Sequence, residues 1–258
     1  MKRQLALALL AGAVLTGAAR AETVVALVGN DTLAIVDTAA KKVARTQKVS
    51  GISGSLLGID VRPADGRLYG VVSDGTVVTI DPQTGAATQK SKLETTLGSG
   101  VMATVDFNPV ADRLRIIGSD GTNLRANVDD GKVTTDGKLK FAENDMHKSM
   151  TPRVTAGAYT NSMKGAKETV LYDVDASGAL VRQVPPNDGV LNSIGMLGVK
   201  GDAMAFDIVS DGNGGNAAWL MAGDTLYKVD LATAKATETA KIAGVSGAIR
   251  DIAIMPAM

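Results

Sequence analysis

The most regular feature of the chain is a short apolar strand that ends in Val-Asp or Ile-Asp and is followed by a turn. This pattern occurs five times, and successive acids are 44 to 55 residues apart. The residue before each acid is β-branched, and the residue two positions before that one is apolar or aromatic, as expected for one buried face of a sheet. The five acids are Asp37, Asp81, Asp129, Asp175 and Asp230.

A second set of alternating strands lies about 23 residues earlier in each unit, and each strand ends in proline or a polar turn. These strands are LLGIDVRP, MATVDFNP, VTAGAYTN, AMAFDIVS and IRDIAIMP. Further short strands lie between and after the two sets, so each unit contains four strands, and helix signals are almost absent. A four-stranded unit that recurs at this interval is typical of a β-propeller blade.

The two ends of the chain complete one blade between them. The segment TVVALVG has the character of a second strand, and residues 249–256 supply the missing first strand of its blade. The sequence therefore predicts an all-β, five-bladed propeller of four-stranded blades, closed where the C-terminal strand joins the N-terminal blade. A two-sheet sandwich is the alternative, but it gives no reason for five repeats.

The first 21 residues are typical of a secretory signal peptide. Lys2 and Arg3 precede an uncharged run, and Ala19-Arg20-Ala21 fits the cleavage rule, so we expect cleavage before Glu22. A retained anchor is the alternative, although the apolar run of about 15 residues is short for a span of about 20. We predict one domain over residues 22–258, exported to the periplasm or beyond the cell, with no membrane span after cleavage.

The amino-acid composition excludes several kinds of binding and catalysis. The chain has 27 basic and 27 acidic residues, and this zero net charge argues against nucleic acid as a partner. It has no cysteine and one histidine, which excludes thiol chemistry and most multi-histidine metal sites. Any chemistry must use Asp, Asn and Arg. We expect no cofactor, with calcium as the one possible exception because it binds oxygen ligands.

The third repeat departs most from the others. Alignment on Asp129 places Arg125 where the other repeats carry Leu33, Val77, Leu171 and Leu226. Together with Arg113 and Arg115, this arginine predicts an anion site for carboxylate or phosphate. The alternative is a set of salt bridges between blades, with Asp106 and Asp112 as partners. The predicted ligand-binding residues are Arg113, Arg115, Asn123, Arg125, Asn108 and Asn161.

Three of the five strands in the second set carry an acid, namely Asp60, Asp106 and Asp207. Such strands surround the central channel of a propeller, so a ring of carboxylates there predicts a calcium site. Asn108 and Asn161 lie near the same strand ends and offer carbonyl oxygens. The alternative is that each acid accepts backbone N–H groups of the neighbouring blade. His147 lies in a long loop, and we read it as incidental because no second histidine exists.

The chain resembles the bacterial domain of unknown function family 4394. The motifs that carry the resemblance are GIDVRPADGRLYG, VDFNPVADRLRIIGSDGTNLRANVDDG, AYTNS, LYDVD and QVPPNDGVL. The resemblance covers residues from about Val24 to the C-terminus and implies an exported β-propeller, but it implies no activity. The residues in its signature motifs include Asn108, Arg113, Arg115, Asn123, Arg125, Asn161, Asn187 and Asp188.

Three functions are consistent with these features. The first is a non-enzymatic binding propeller of the cell envelope, a monomer whose partner is a small anion or another envelope protein. The second is a calcium-dependent hydrolase of the lactonase type, in which the metal lowers the pKa of bound water. The third is an interaction module whose flat faces bind a partner protein. The fold alone does not decide between them.

Overall fold

A computed structural model describes residues 23–255. The predicted signal peptide, residues 1–21, lies outside the described residues. Within residues 23–255, no helix combines the length and apolar character that a membrane crossing requires.

Twenty-one strands form five sheets. Blade one contains β1 (Thr23–Val28), β2 (Thr32–Asp37), β3 (Lys42–Lys48) and the C-terminal β21 (Ile249–Met255). Blade two contains β4 (Leu56–Val61), β5 (Leu68–Val72), β6 (Thr76–Ile80) and β7 (Ala87–Lys92). Blade three contains β8 (Ala103–Asn108), β9 (Arg113–Gly118), β10 (Asn123–Ala126) and β11 (Val133–Thr135).

The last two blades follow the same plan. Blade four contains β13 (Val154–Tyr159), β14 (Leu171–Asp175), β15 (Ala179–Gln183) and β16 (Val190–Met196), with the short β12 (Lys140–Phe141) parallel to β16. Blade five contains β17 (Met204–Ser210), β18 (Asn216–Ala222), β19 (Thr225–Val229) and β20 (Ala236–Lys241). Apart from β12, all neighbouring strands within a blade are antiparallel, and the only helical turn in the described chain is a 3-10 turn at Pro186–Asp188.

The ring closes through blade one, as predicted. β21 is the inner strand of that blade and pairs with β1, with Val25 opposite Ala253. The inner strands β4, β8, β13, β17 and β21 each contact two others in a closed cycle. The predicted five-bladed propeller is therefore confirmed, and the two-sheet sandwich is wrong.

Burial falls from the inner to the outer strand of a blade. All six residues of β4 and of β13 are buried, whereas the outer strands β7 and β20 are mostly exposed. This follows from the geometry, because inner strands face both the channel and two neighbouring blades. Clusters of Val, Leu, Ile and Ala fill the spaces between the blades and form the core.

The register of two repeats differs from the sequence alignment. The turn after β10 begins at Asn127, whose backbone N–H donates to Lys132 O as that of Asp81 donates to Ala86 O. The predicted alignment on Asp129 was therefore two residues out of register. Asp175, in turn, ends the second strand of blade four rather than its third.

The correct register changes which residue of blade three is unusual. Arg125 occupies the position of Thr79 in blade two. Each of these two residues pairs with a residue of the second strand, and that residue pairs in turn with an acid of the inner strand. Asn123 instead occupies the buried apolar position. The equivalent residues in the other blades are Leu33, Val77, Leu180 and Leu226.

Candidate functional site

Three acids of the inner strands converge on the central channel. Asp60, Asp106 and Asp207 occupy the same position in β4, β8 and β17, and one carboxylate oxygen of each lies within 4.8 Å of the others. All three side chains are buried. We call these three residues the channel triad. The predicted clustering of the acids at the channel is what the structure shows.

Each member of the triad also binds the next blade. Asp60 Oδ2 accepts the N–H of Phe107 at 2.7 Å, and Asp106 Oδ1 accepts that of Tyr159 at 2.9 Å. Asp207 Oδ2 accepts the N–H of Ile254 at 2.6 Å. The backbone bonds that the sequence analysis gave as the alternative to a metal therefore exist. They leave lone pairs on the carboxylates, since each oxygen has two.

A fourth acid in the channel was missed from the sequence. Asp251 in β21 is 1% exposed and lies two residues before Ala253, the position that matches the triad. Its Oδ2 accepts the N–H of Ile59 at 3.0 Å. Gly58 permits this approach, because a Cβ there would lie 2.6 Å from Asp251 Oδ2. An acid within the mainly apolar strand IRDIAIM was the feature of the sequence that could have indicated Asp251 as a channel residue.

Burial makes this cluster of acids electrostatically unfavourable. Desolvation raises the pKa of Asp60 well above its usual range, and repulsion from Asp207 raises it further. Desolvation and repulsion from Asp60 raise the pKa of Asp106 in the same way. Burial also raises the pKa of Asp251. The channel therefore favours either bound protons or a bound cation.

A cavity of about 690 Å³ opens at the end of the channel where the triad lies. We call it the channel-mouth cavity. Asp60 and Asp207 line it, together with a loop that includes Lys164 and the hairpin that joins β17 to β18. Its volume is in the range of small-molecule sites, about 300–1,000 Å³.

The two asparagines predicted as calcium ligands, Asn108 and Asn161, both hydrogen-bond to other groups of the protein. Asn161 N–H donates to Asn216 Oδ1 at 2.7 Å, and Asn216 Nδ2 donates to Asn161 Oδ1 at 2.9 Å. This pair joins the loops of blades four and five beside the channel mouth. Asn108 Oδ1 accepts the N–H groups of Val110 and Ala111, which stabilises the turn after β8.

The donor set of the triad fits calcium. Ca²⁺ binds oxygen ligands at about 2.3–2.6 Å, so oxygens on opposite sides of the ion lie about 5 Å apart. Triad oxygens within 4.8 Å of one another satisfy this requirement. Calcium takes 6–8 oxygens, so a ligand in the cavity would supply those that the triad does not.

The three predicted arginines separate into two environments. Arg115 is 2% exposed, and its Nη1 donates to Asp136 Oδ2 at 2.5 Å. Arg125 binds the same carboxylate through Nε at 2.6 Å and Nη2 at 2.9 Å. Arg113 Nη1 donates to the backbone carbonyls of Ala111 and Asp112. Arg115 is thus enclosed, while Arg113 and Arg125 line a small cavity on blade three.

The acid partners expected for these arginines were wrong. Asp136 takes the place of Asp106 and Asp112, because β11 returns beside β10 and brings Asp136 to the arginines. Asp112 instead pairs with Arg62, whose Nη2 lies 2.6 Å from Asp112 Oδ2.

Asn123 links blade three to blade four. Its Oδ1 accepts Arg115 Nη1 at 2.8 Å, and its Nδ2 donates to Gly137 O at 3.0 Å and Pro186 O at 3.1 Å. Arg115 also donates to Asn187 Oδ1 of the 3-10 turn. These signature-motif residues therefore form one buried polar network between blades.

Arg62 forms a second contact between blades that sequence reasoning missed. It is 6% exposed, and its Nη2 also donates to Asp129 Oδ2 at 2.8 Å. Its Nη1 donates to the hydroxyl of Tyr69. Because the bonds to Asp112 and Asp129 favour the charged guanidinium, they raise the pKa of Arg62. Arg62 thereby fastens blade two to blade three.

Asp173 is an unsatisfied buried acid of the described chain. Its side chain is fully buried in blade four, and neither carboxylate oxygen has a hydrogen-bond partner within residues 23–255. Burial raises its pKa to about 8, although the nearby Arg115 lowers it in part. This raised pKa favours the protonated form of Asp173 near neutral pH.

His147 forms a local network rather than a catalytic triad. Its Nδ1 lies 2.9 Å from Ser193 Oγ, which donates to Asp145 Oδ1 at 2.9 Å. A nucleophilic triad places the histidine between serine and acid, with one ring nitrogen for each. Here the same nitrogen faces both groups, so the network anchors the long loop to β16.

The fold and the buried acids define the class as a five-bladed β-propeller with an acidic central channel. The family described as Domain of unknown function (DUF4394) matches residues 32–253. The chain belongs to this family, as the resemblance implied.

Two solved structures are similar to this chain, and the first of them shows a likeness of fold only. A protein of unknown function from Bacteroides thetaiotaomicron VPI-5482 is 16% identical with a TM-score of 0.51, covering 83% of this chain and 52% of that protein. A protein of unknown function from Bacteroides caccae is 14% identical with a TM-score of 0.46, covering 89% of this chain and 77% of that one. No curated protein matches the chain.

Proposed function

We propose that the protein is an exported, non-enzymatic binding propeller that holds a calcium ion on the channel triad and takes its ligand in the channel-mouth cavity. The observation that carries this proposal is the approach of three carboxylate oxygens to within 4.8 Å beside a cavity of about 690 Å³. The ligand is a small anion, or an acidic group of an envelope protein, that completes the calcium coordination.

Electrostatics support a cation at this position. Within residues 23–255, neither Asp60 nor Asp106 forms an ion pair with a basic side chain. Desolvation and repulsion from Asp207 raise the pKa of Asp60, and desolvation and repulsion from Asp60 raise the pKa of Asp106. A divalent cation neutralises charge that no basic side chain compensates. It also explains why a buried acid occupies the same position in three inner strands.

Binding is a better match than catalysis for the remaining side chains. The chain has no cysteine and a single histidine, and that histidine, in the long loop before β13, contacts Ser193 of β16. The cavity is lined mainly by small and apolar side chains and one amide, with Lys164 and Asp211 as its charged residues beyond Asp60 and Asp207. This lining suits recognition of a ligand.

Calcium titration tests the proposal directly. We expect Ca²⁺ to bind by calorimetry and to raise the melting temperature of chelator-treated protein. Asp106→Asn keeps an oxygen for the Tyr159 N–H but removes the charge, so it should abolish both effects. Asp81→Asn is the matched control, since Asp81 lies in an exposed turn where blade three naturally carries Asn127. If calcium neither binds nor alters the melting temperature, the proposal is wrong.

A calcium-dependent hydrolase of the lactonase type is the second candidate, and the same carboxylates favour it. Here the metal would polarise a substrate carbonyl and activate water. Assay of the calcium-loaded protein on a panel of lactones separates the two functions. Turnover that disappears in Asp106→Asn would favour the hydrolase, while calcium binding without turnover favours the binding function.

Export is the remaining part of the proposal and rests on residues 1–21. Expression of the full chain, followed by fractionation and mass measurement, tests it. We expect a product that begins at Glu22 in the periplasm or the medium. An intact chain in the cytoplasm or in the membrane fraction would contradict export with cleavage.

A further inference from the structure

A second cavity, of about 330 Å³, lies on blade three and shares no lining residue with the channel-mouth cavity. We call it the blade-three cavity. Its lining residues are Arg113, Arg125, Asn127, Asp130, Lys132 and Thr134. They lie on one face of the sheet. Arg125 is opposite Thr134, and the remaining lining residues either lie an even number of positions along their strands or belong to the adjoining turn.

The charge of this cavity is positive. Three lining residues are basic and one, Asp130, is acidic, which leaves two net positive charges, since Arg115 balances the Asp136 carboxylate behind Arg125. Asp130 Oδ1 already accepts the backbone N–H of Lys132 at 3.0 Å. Asn127 and Thr134 add neutral polar groups. A doubly charged anion is thus the ligand whose charge the cavity matches.

The guanidinium of Arg125 is held in place for such a ligand. Asp136 binds its Nε and Nη2, and this carboxylate is 5% exposed. The Nη1 group of Arg125 makes no hydrogen bond within residues 23–255, and the same is true of Nε and Nη2 of Arg113. Donors that are already oriented lose little entropy when they bind an anion.

We propose that the blade-three cavity binds a phosphate group, either as free phosphate or in a small phosphate monoester. Phosphate carries a charge of about −1.5 to −2 at pH 7 and accepts several charge-assisted hydrogen bonds, which suits two arginines and a lysine. A volume of about 330 Å³ leaves room for a short organic substituent beside the phosphate. The site is independent of calcium and of the proposed channel ligand.

Calorimetric titration with inorganic phosphate, glycerol phosphate and acetate tests the site. We expect saturable binding of one or both phosphates and much weaker binding of acetate. Arg113→Gln and Lys132→Gln should each weaken phosphate binding about tenfold, the cost of one charge-assisted contact. Asp130→Asn should strengthen it. If glycerol phosphate binds more tightly than inorganic phosphate, the organic substituent contributes to binding.

Lys235→Gln is the matched control. Lys235 occupies the same turn position in blade five, since Asp230 N–H donates to Lys235 O as Asn127 N–H donates to Lys132 O. Its substitution should leave phosphate binding unchanged. Equal weakening by Lys235→Gln, acetate binding as tight as phosphate, or no saturable binding of either phosphate would overturn the proposal. If Arg113→Gln melts early, Lys132→Gln, with an exposed side chain, retains the test.

Discussion

Asp60 accepts the backbone N–H of Phe107 through Oδ2 at 2.7 Å, and this bond joins the inner strand of blade two to that of blade three. The same carboxylate accepts the N–H of Val61 through Oδ1 at 2.6 Å. These bonds favour the charged carboxylate, whereas burial and the neighbouring acids oppose it. The acids of the channel therefore hold the ring together and also repel one another.

The first prediction concerns the pH dependence of stability without calcium. The pKa values of Asp60, Asp106 and Asp251 are raised in the folded protein above the ordinary value of 3.8. The unfolded chain therefore releases these protons first as pH rises, so the free energy of unfolding should fall from about pH 4 upward. Urea unfolding in chelator at a series of pH values measures this slope.

Asp106→Asn provides the comparison for that slope. The substitution removes one titrating group, so stability should decline less steeply with pH than in the parent protein. Saturating calcium should also flatten the parent's profile, because the cation replaces the bound protons. An identical slope in the parent and in Asp106→Asn would show that the triad does not retain protons.

The second prediction concerns Asp173, which has a pKa of about 8. Well below pH 4 this group is protonated in both the folded and the unfolded state. Between about pH 4 and pH 8 its preference for the neutral form increasingly favours unfolding. Asp173→Asn removes the ionisation, so it should be more stable than the parent at pH 9, by an amount on the order of a few kcal/mol.

Asp175→Asn is the contrasting variant on the same strand. The Asp175 carboxylate accepts the N–H groups of Arg153 at 2.7 Å and Ser177 at 2.9 Å, so its loss should destabilise the protein. Guanidinium unfolding of both variants at pH 9 checks the difference in sign. A destabilising effect of Asp173→Asn at that pH would contradict the assigned titration.

The third prediction concerns Arg62, the contact between blades two and three. Arg62→Gln removes its bonds to Asp112 and Asp129, although both carboxylates remain partly hydrated. We therefore expect a loss of about 2–3 kcal/mol, less than for a fully buried ion pair. Arg67→Gln, at an exposed position in the adjoining turn, should change stability little. Denaturant unfolding of the two variants compares them, and equal losses would exclude a specific role for Arg62.

The sequence predicted the blades better than the contacts between them. Alternation and turn residues are local properties, so the five inner strands and the channel position of Asp60, Asp106 and Asp207 could be read from them. The two-residue shift at Asp129 arose because Asn127 performs the same turn bonding as aspartate in other blades. Pairing of Arg115 with Asp136 depends on how β11 folds back, and no local pattern encodes that.

The corrected register yields the last prediction, which concerns Asn123. Leucine is the residue that blades one, four and five carry at this buried position, so Asn123→Leu makes blade three more like its neighbours in sequence. It nevertheless removes the acceptor of Arg115 Nη1 and the donor to Gly137 O and Pro186 O. Because buried polar groups that lose their partners cost about 1–3 kcal/mol each, we expect a destabilisation of about 2–4 kcal/mol.

Val77→Leu in blade two is the matched control for Asn123→Leu. It introduces leucine at the equivalent buried position but breaks no hydrogen bond. Overpacking by one methylene should cost less than loss of the polar network. Chemical denaturation of both variants distinguishes the effects. If Asn123→Leu were as stable as the parent, the bonds of Asn123 would not contribute to the attachment of blade three to blade four.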